Sequence, residues 1–170
     1  MLLLVVISSS KAQRYNLAIG AEINIPSGNS SNISAIGFGG GLKAEIGLSR
    51  KFAFTANGNF HNFIGKRYFG VSTQDLTAIP IKAGFKYYTS ADFYFEGQLG
   101  AAFPLKSSSK TGLAWSPGFG TYLKLKGTNS LDVGLRYEGW TNSRISNNAT
   151  AKFSTFNFIA LRAAYVFSFN

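Results

Sequence analysis

The sequence predicts an all-β protein, an antiparallel up-and-down transmembrane β-barrel of about eight strands, and three observations carry that prediction. Segments of about ten to thirteen residues with strict apolar–polar alternation follow one another from Tyr15 to the C-terminus. The connections between them alternate between long polar stretches and short turns. The apolar face of nearly every segment is bulky, while the opposite face is small or polar. A soluble strand averages about six residues, whereas a tilted membrane-spanning strand needs about 9–11. The length of the segments therefore favours a membrane wall.

The segments run as follows. In the first, Tyr15, Leu17, Ile19, Ala21, Ile23 and Ile25 oppose Asn16, Ala18, Gly20, Glu22 and Asn24. The second sets Phe38, Leu42, Ala44, Ile46 and Leu48 against Gly37, Gly39, Gly41, Lys43, Glu45 and Gly47. The third opposes Phe52, Phe54, Ala56 and Phe60 to Thr55, Asn57, Asn59 and His61, and the fourth opposes Ile79, Ile81, Ala83, Phe85 and Tyr87 to Lys82, Gly84 and Lys86. In the fifth, Phe93, Phe95, Leu99, Ala101 and Phe103 face away from Tyr94, Glu96, Gln98 and Gly100. The sixth divides Leu113, Trp115, Phe119, Leu123 and Leu125 from Ser116, Gly118, Gly120, Tyr122 and Lys124. The seventh divides Leu131, Val133, Leu135 and Tyr137 from Asp132, Gly134, Arg136 and Glu138. The last sets Ile159, Leu161, Ala163, Tyr165, Phe167 and Phe169 against Ala160, Arg162, Ala164 and Ser168, with Phe156 and Phe158 out of phase as though displaced by a bulge.

Residues 26–35, 65–77, 106–112 and 141–152 form the long connections, and 49–51, 89–92 and 127–130 the short ones. Outer-membrane barrels show this asymmetry, with short periplasmic turns and longer external loops. Volume decides which face points inward. An eight-stranded barrel is just wide enough inside for its own side chains. A lining of Phe, Leu, Ile and Tyr would overfill it, so the apolar face points out into lipid. The aromatics of that face gather toward the strand ends. Tyr15, Phe52, Phe54, Tyr87, Phe93, Tyr165, Phe167 and Phe169 fall near one rim, and Phe38, Phe60, Phe103 and Trp115 near the other, as interfacial girdles require. A soluble, lipocalin-like ligand-binding barrel is the competing reading of the same alternation.

Composition agrees with a single domain. Charged residues make up 14% of the 170 residues and aromatics 15%, and there are nineteen Gly. The absence of Cys excludes disulfides, thiolate metal sites and a lipidated cysteine. A net charge of +10 raises the question of nucleic acid, but the longest basic runs are the pairs Arg50-Lys51 and Lys66-Arg67, so no nucleic-acid partner is expected. Residues 1–12 read as a signal peptide. An apolar run from Leu2 to Ile7 precedes small residues Ser10 and Ala12, which places the mature start at Gln13. No Lys or Arg stands before the apolar run, and the expected basic start lies upstream. The barrel domain is expected over residues 13–170.

The pattern from Gln13 to Asn170 resembles the small outer-membrane barrel family that includes the OmpA membrane domain and OmpX. The sharpest piece is the C-terminal strand Ala163-Ala164-Tyr165-Val166-Phe167-Ser168-Phe169-Asn170. Tyr165, Phe167 and Phe169 look like the aromatic-alternating signal read by the barrel-insertion machinery. That family commonly ends on an aromatic, whereas here Asn170 follows Phe169. The resemblance implies an integral outer-membrane location, contact with outer-membrane lipid and lipopolysaccharide, insertion by that machinery, and a monomer without cofactor.

The inward face supplies Glu22, Glu45, Glu96, Asp132 and Glu138 against Lys43, Lys82, Lys86, Lys124, Arg136 and Arg162. Strand adjacency places Glu22 between Lys43 and Arg162, and Glu96 between Lys82 and Lys124. Buried charges survive only when paired, so these groups are expected to plug the lumen and set strand register. A narrow gated channel, opened by exchange of ion-pair partners, is the alternative that the resemblance adds. His61 is expected to be a solvated rim residue. A lipid-modifying enzyme would instead need it beside Ser72 and Asp75, and their spacing matches no catalytic signature. Gly37-Phe38-Gly39-Gly40-Gly41 has no helix after it, so it is not a phosphate loop, and its glycines are read as sites of close approach. The expected function is a non-enzymatic integral outer-membrane barrel, envelope-structural or surface-interacting, with a side-chain-filled lumen.

Overall fold

A computed structural model describes residues 14–68, 71–72, 75–105, 111–125, 127–145 and 151–169. The expected signal peptide and Asn170 lie outside the described residues, as does Lys110 in the third long connection. The wall consists of β1 (Tyr15–Ser27), β2 (Ser34–Gly47), β3 (Phe52–Gly65), β4 (Leu76–Tyr88), β5 (Phe93–Pro104), β6 (Gly112–Lys124), β7 (Ser130–Ile145) and β8 (Ala151–Phe169). Each strand pairs antiparallel with its sequence neighbour, and β1 pairs with β8 to close the barrel. The closing seam runs without a break from Tyr15 opposite Phe169 to Ser27 opposite Asn157. Closure leaves no sheet edge, which is what a wall in hydrocarbon needs.

Alternation within each strand sorts the side chains. Along β1 the exposed residues are Tyr15, Leu17, Ile19, Ala21, Ile23 and Ile25, and the buried ones include Ala18, Glu22 and Asn24. The large apolar groups of the other strands are likewise outside, among them Leu42, Phe60, Ile81, Phe85, Leu99, Phe119 and Leu161. At one end of the barrel lie the described residues 28–33, 66–68, 71–72, 75, 105 and 111; at the other lie 48–51, 89–92, 125 and 127–129 together with Arg14 and Phe169. These are called the loop end and the turn end. The loop end also carries a short 3₁₀ turn (Gly28–Asn32) and a small ladder joining Arg67–Tyr68 to Val71–Ser72. Near the turn end the outward aromatics pair, Phe52 with Tyr87 at 5.0 Å between ring centroids and Tyr165 with Phe167 at 4.8 Å.

Two expectations are corrected. The first and fourth long connections are shorter than the sequence implied, because β1 continues to Ser27, β7 to Ile145, and β8 begins at Ala151. The polar residues there remain in the ladder, since backbone pairing outlasts the apolar outer face. No bulge displaces β8 either. Its register against β7 is continuous from Ala151 opposite Ile145 to Val166 opposite Ser130. Phe158 is instead an inward residue, fully buried, in phase with Ala160 and Arg162.

Leu99 stands midway along β5, opposite Ala83 and Trp115, with 59% of its surface exposed. Leu99→Arg is expected to cost about 2–4 kcal/mol of folding stability in lipid, the penalty for an outward Arg at the midplane. Denaturant titration of vesicle-inserted protein measures it. In a water-soluble barrel the same exposed substitution would be almost neutral, so an unchanged midpoint contradicts the lipid-facing wall.

Candidate functional site

The inward residues of the eight strands form one continuous filling in three layers. At the loop end is an aromatic layer. Phe63 of β3, Trp140 of β7, and Phe156 and Phe158 of β8 pack together, with Phe63 lying 4.9 Å from Phe158 and 5.7 Å from Trp140. Small residues, Ala78, Ala102, Ala114 and Ala160, complete that layer. Glycine makes the room. A Cβ at Gly37 would lie 2.4 Å from the Phe63 ring, so the ring occupies the space that a side chain there would fill.

His61 forms the floor of this layer. It is fully buried, 5.7 Å from the rings of both Trp140 and Phe158, with Nδ1 2.7 Å from the Asn24 amide nitrogen and Nε2 3.6 Å from Glu22. The expectation of a solvated rim histidine is therefore wrong. His61 has the same parity as Asn59 and Thr55, and β3 continues past it to Gly65, so it points into the lumen below the rim. Asp75 accepts a hydrogen bond from the backbone N–H of Gly65 at 3.0 Å, and among the described residues no Ser or Thr hydroxyl bonds to His61. The side chain of Ser72 lies outside the described residues, and among those described no Ser or Thr completes a His–acid arrangement at His61.

The middle layer is ionic. Arg136 contacts Glu22 at 2.5 Å and lies 3.0 Å from Glu138, Lys82 donates to Glu138, and Trp140 Nε1 donates to the same carboxylate at 2.7 Å. Arg162 stands 3.8 Å from Glu22, and Asn59 donates to Glu22 at 3.2 Å. One step toward the turn end, Lys43 donates to Glu96 at 2.6 Å, Tyr94 donates to Asp132 at 2.5 Å, and Gln98 links Thr55, Asn57 and Glu96.

The third layer closes the turn end. Glu45 accepts from Lys86 at 2.6 Å, Tyr88 at 2.5 Å, Tyr122 at 2.9 Å and Asn16 at 3.0 Å. The Lys86 ammonium also lies 3.9 Å from the centroid of the Tyr94 ring and 4.8 Å from that of Tyr122. Cation–π attraction and a charge-assisted hydrogen bond thus act on one buried ammonium. Gly120 leaves space for Tyr94, whose hydroxyl would come within 2.4 Å of a Cβ there.

Of the partners expected for Glu22, Arg162 is met and Lys43 is not, and Glu96 meets neither Lys82 nor Lys124 but Lys43. Glu22 lies opposite Gly39 on β2 and Arg162 on β8, while Lys43 lies opposite Ala18. Strand tilt brings to one height residues that are not register neighbours, and the narrow bore lets pairs form across the lumen. Glu22 therefore meets Arg136 of β7, and Lys43 meets Glu96 of β5. Lys124 is not in the lumen. It ends β6 with its side chain 74% exposed, 3.5 Å from Asp92 in the neighbouring turn. Its parity is inward, but the wall stops there and water solvates the ammonium.

The aromatic layer itself was missed at the level of sequence, although parity marked it. Phe63 continues the series Asn57, Asn59, His61, and Trp140 continues Asp132, Arg136, Glu138. Among the described residues no group of three His, Cys, Asp or Glu side chains is placed to hold a metal ion. An internal cavity of about 20 Å³ beside Lys43, Tyr94, Glu96 and Arg162 has room for roughly one water molecule.

No protein-family model and no curated protein matches the chain. Solved structures do match it. OprG, an outer membrane protein from Pseudomonas aeruginosa, superposes with a TM-score of 0.61 over 94% of this chain and 97% of that one, at 13% identity. Neisserial surface protein A gives 0.58 over 92% and 97% at 16% identity. Ail, the attachment invasion locus protein of Yersinia pestis, gives 0.57 over 91% and 99% at 14% identity. The fold is that of an eight-stranded transmembrane β-barrel. Within it, the network just described lies where a wider barrel would hold a channel, and identities this low show the fold alone.

Removing one member of the ionic layer leaves its partners buried with fewer opposite charges. Glu22→Ala deprives Arg136 and Arg162 of their shared carboxylate and is expected to cost about 3–5 kcal/mol. The double variant Glu22→Met/Arg136→Met, which removes both members of one pair together, should recover part of that loss. Equilibrium unfolding in guanidinium compares the two, and an unchanged midpoint for Glu22→Ala would contradict a structural role for the pair.

Proposed function

We propose that the protein is an integral outer-membrane barrel with a sealed lumen, serving the envelope as a structural element or as a platform for surface loops, without enzymatic activity. The observation that carries this reading is the filling. Every lumen layer is occupied by side chains that bond or pack to partners on other strands, from the Phe63–Trp140–Phe158 cluster to the Glu45–Lys86–Tyr122 cluster. The outward apolar belt and the fold shared with OprG, Neisserial surface protein A and Ail support the membrane location. The alternating aromatics Tyr165, Phe167 and Phe169 lie on the outward face of the closing strand, which supports their reading as an assembly signal for the insertion machinery. Outer-membrane lipid and lipopolysaccharide are the partners of the wall, and the barrel acts as a monomer.

A narrow gated channel is the second reading. Arg136 faces both Glu22 and Glu138, an arrangement in which pairs can be exchanged. The two readings part in planar bilayers. A sealed barrel gives no reproducible single-channel steps, whereas a gate gives discrete openings whose size or frequency changes in Arg136→Lys.

Orientation is testable because the chain contains no cysteine. Single cysteines at Lys66 or Asp75 should react with an impermeant maleimide on intact cells. Cysteines at Arg50 or Asn129 should react only after the outer membrane is opened. The reverse pattern would invert the orientation while leaving the barrel intact.

A further inference from the structure

Among the described residues the lumen is electrically balanced. Lys43, Lys82, Lys86, Arg136 and Arg162 face Glu22, Glu45, Glu96, Asp132 and Glu138, five cations and five acids. At the turn end the described exposed cations are Arg14, Arg50, Lys51 and Lys124, and the acid there, Asp92, is taken by Lys124 at 3.5 Å. Among the described residues no acidic side chain pairs with Arg14, Arg50 or Lys51.

Backbone hydrogen bonds set all three at the turn-end rim of the neighbouring strands β1 to β4. Gly47 N–H donates to Arg14 O at 2.8 Å, Leu48 N–H to Phe52 O at 2.9 Å, and Tyr88 N–H to Lys51 O at 2.8 Å. The Ser49 hydroxyl accepts from the Phe52 N–H at 3.0 Å and rigidifies the turn that carries Arg50 and Lys51. Directly along the wall from this arc, Tyr15, Leu48, Phe52 and Tyr87 face outward and exposed, with Phe52 and Tyr87 stacked obliquely. Cations one step beyond an aromatic girdle stand at the level of lipid phosphates.

We propose that Arg14, Arg50 and Lys51, above the strip of Tyr15, Leu48, Phe52 and Tyr87, bind the phosphate headgroup of an anionic phospholipid in the leaflet at the turn end. The proposal rests on the membrane-spanning reading. Guanidinium groups grip phosphate oxygens in pairs, and the lysine adds a point charge beside them. The apolar strip below takes the acyl chains of the same molecule, a match that a free phosphate ion lacks. Lys124, already neutralised by Asp92, contributes little.

The test uses the full chain in vesicles of equal phosphatidylcholine and phosphatidylglycerol, followed by flotation and by native mass spectrometry of lipids retained in mild detergent. Wild type should retain phosphatidylglycerol in clear excess over phosphatidylcholine. Arg50→Gln should weaken that retention about fivefold, the effect of one cation at a lipid surface, and Arg14→Gln/Arg50→Gln/Lys51→Gln should abolish the excess. Arg50→Lys should keep most of it, and Lys124→Gln should leave it unchanged. Heat-modifiable gel migration verifies that each variant is folded. Equal retention by wild type and the triple variant would overturn the proposal, as would an equal loss in Lys124→Gln or full displacement of the lipid by inorganic phosphate. Flotation without any phosphatidylglycerol excess defeats this proposal alone, whereas failure to float defeats the membrane-spanning reading as well.

Discussion

Closure of the sheet is the constraint from which the rest of this structure follows. Inside a bilayer there is no water to satisfy a backbone N–H or C=O, so a spanning sheet has to pair its first strand with its last. The continuous register between β1 and β8 achieves that pairing. Once the ring is closed with eight strands, the bore is set, and period-2 alternation sends every second residue into it. The interior is thus a small fixed volume that the inward residues have to fill without overfilling. Gly37 beneath Phe63 and Gly120 beneath Tyr94 show how tightly that condition binds, since each lacks the one atom that would collide.

Filling that volume with charge demands neutrality. A buried ion without a partner costs several kcal/mol, and the pairs here are shared rather than isolated. Glu22 is contacted by Arg136, approached by Arg162 and His61, and hydrogen-bonded by Asn59, while Glu45 takes four donors at once. Sharing spreads the desolvation cost of one carboxylate over several attractions. It also ties β1, β2, β3, β4, β6 and β7 to one another through the lumen, contacts that the hydrogen-bond ladder between neighbouring strands does not supply.

Much of this was legible in the sequence. Strand number, face assignment and the outward belt followed from alternation and side-chain volume, because both are local properties of a strand. Pairing within the lumen was not legible, because it depends on tilt and on distances across the bore. Adjacency suggested Glu22 with Lys43, but Glu22 meets Arg136 from β7, on the far side of β8. Lys124 shows the other limit, since parity names the face but not the height at which the wall ends. His61 shows that a strand carried further than its apolar outer face suggests turns a supposed rim residue into the floor of an aromatic layer.

The two ends of the filling differ in kind, and that difference has consequences for what the barrel can exchange with each side. The loop end is closed by rings packed on rings, an apolar layer that offers an ion no ligand and excludes water from His61 and Glu138 beneath it. The turn end is closed by Tyr88, Tyr94 and Tyr122 around Lys86 and Glu45, groups that hydrogen-bond and tolerate water. Beyond them opens a mouth of about 410 Å³ bordered by Arg14, Asn16, Asp92 and Lys124. The described ends of the filling thus differ in kind, polar at the turn end and apolar at the loop end. A barrel built this way divides its work by region. The wall presents its apolar face outward, the lumen side chains join strands across the bore, and the described exposed cations of the turn end stand at the rim.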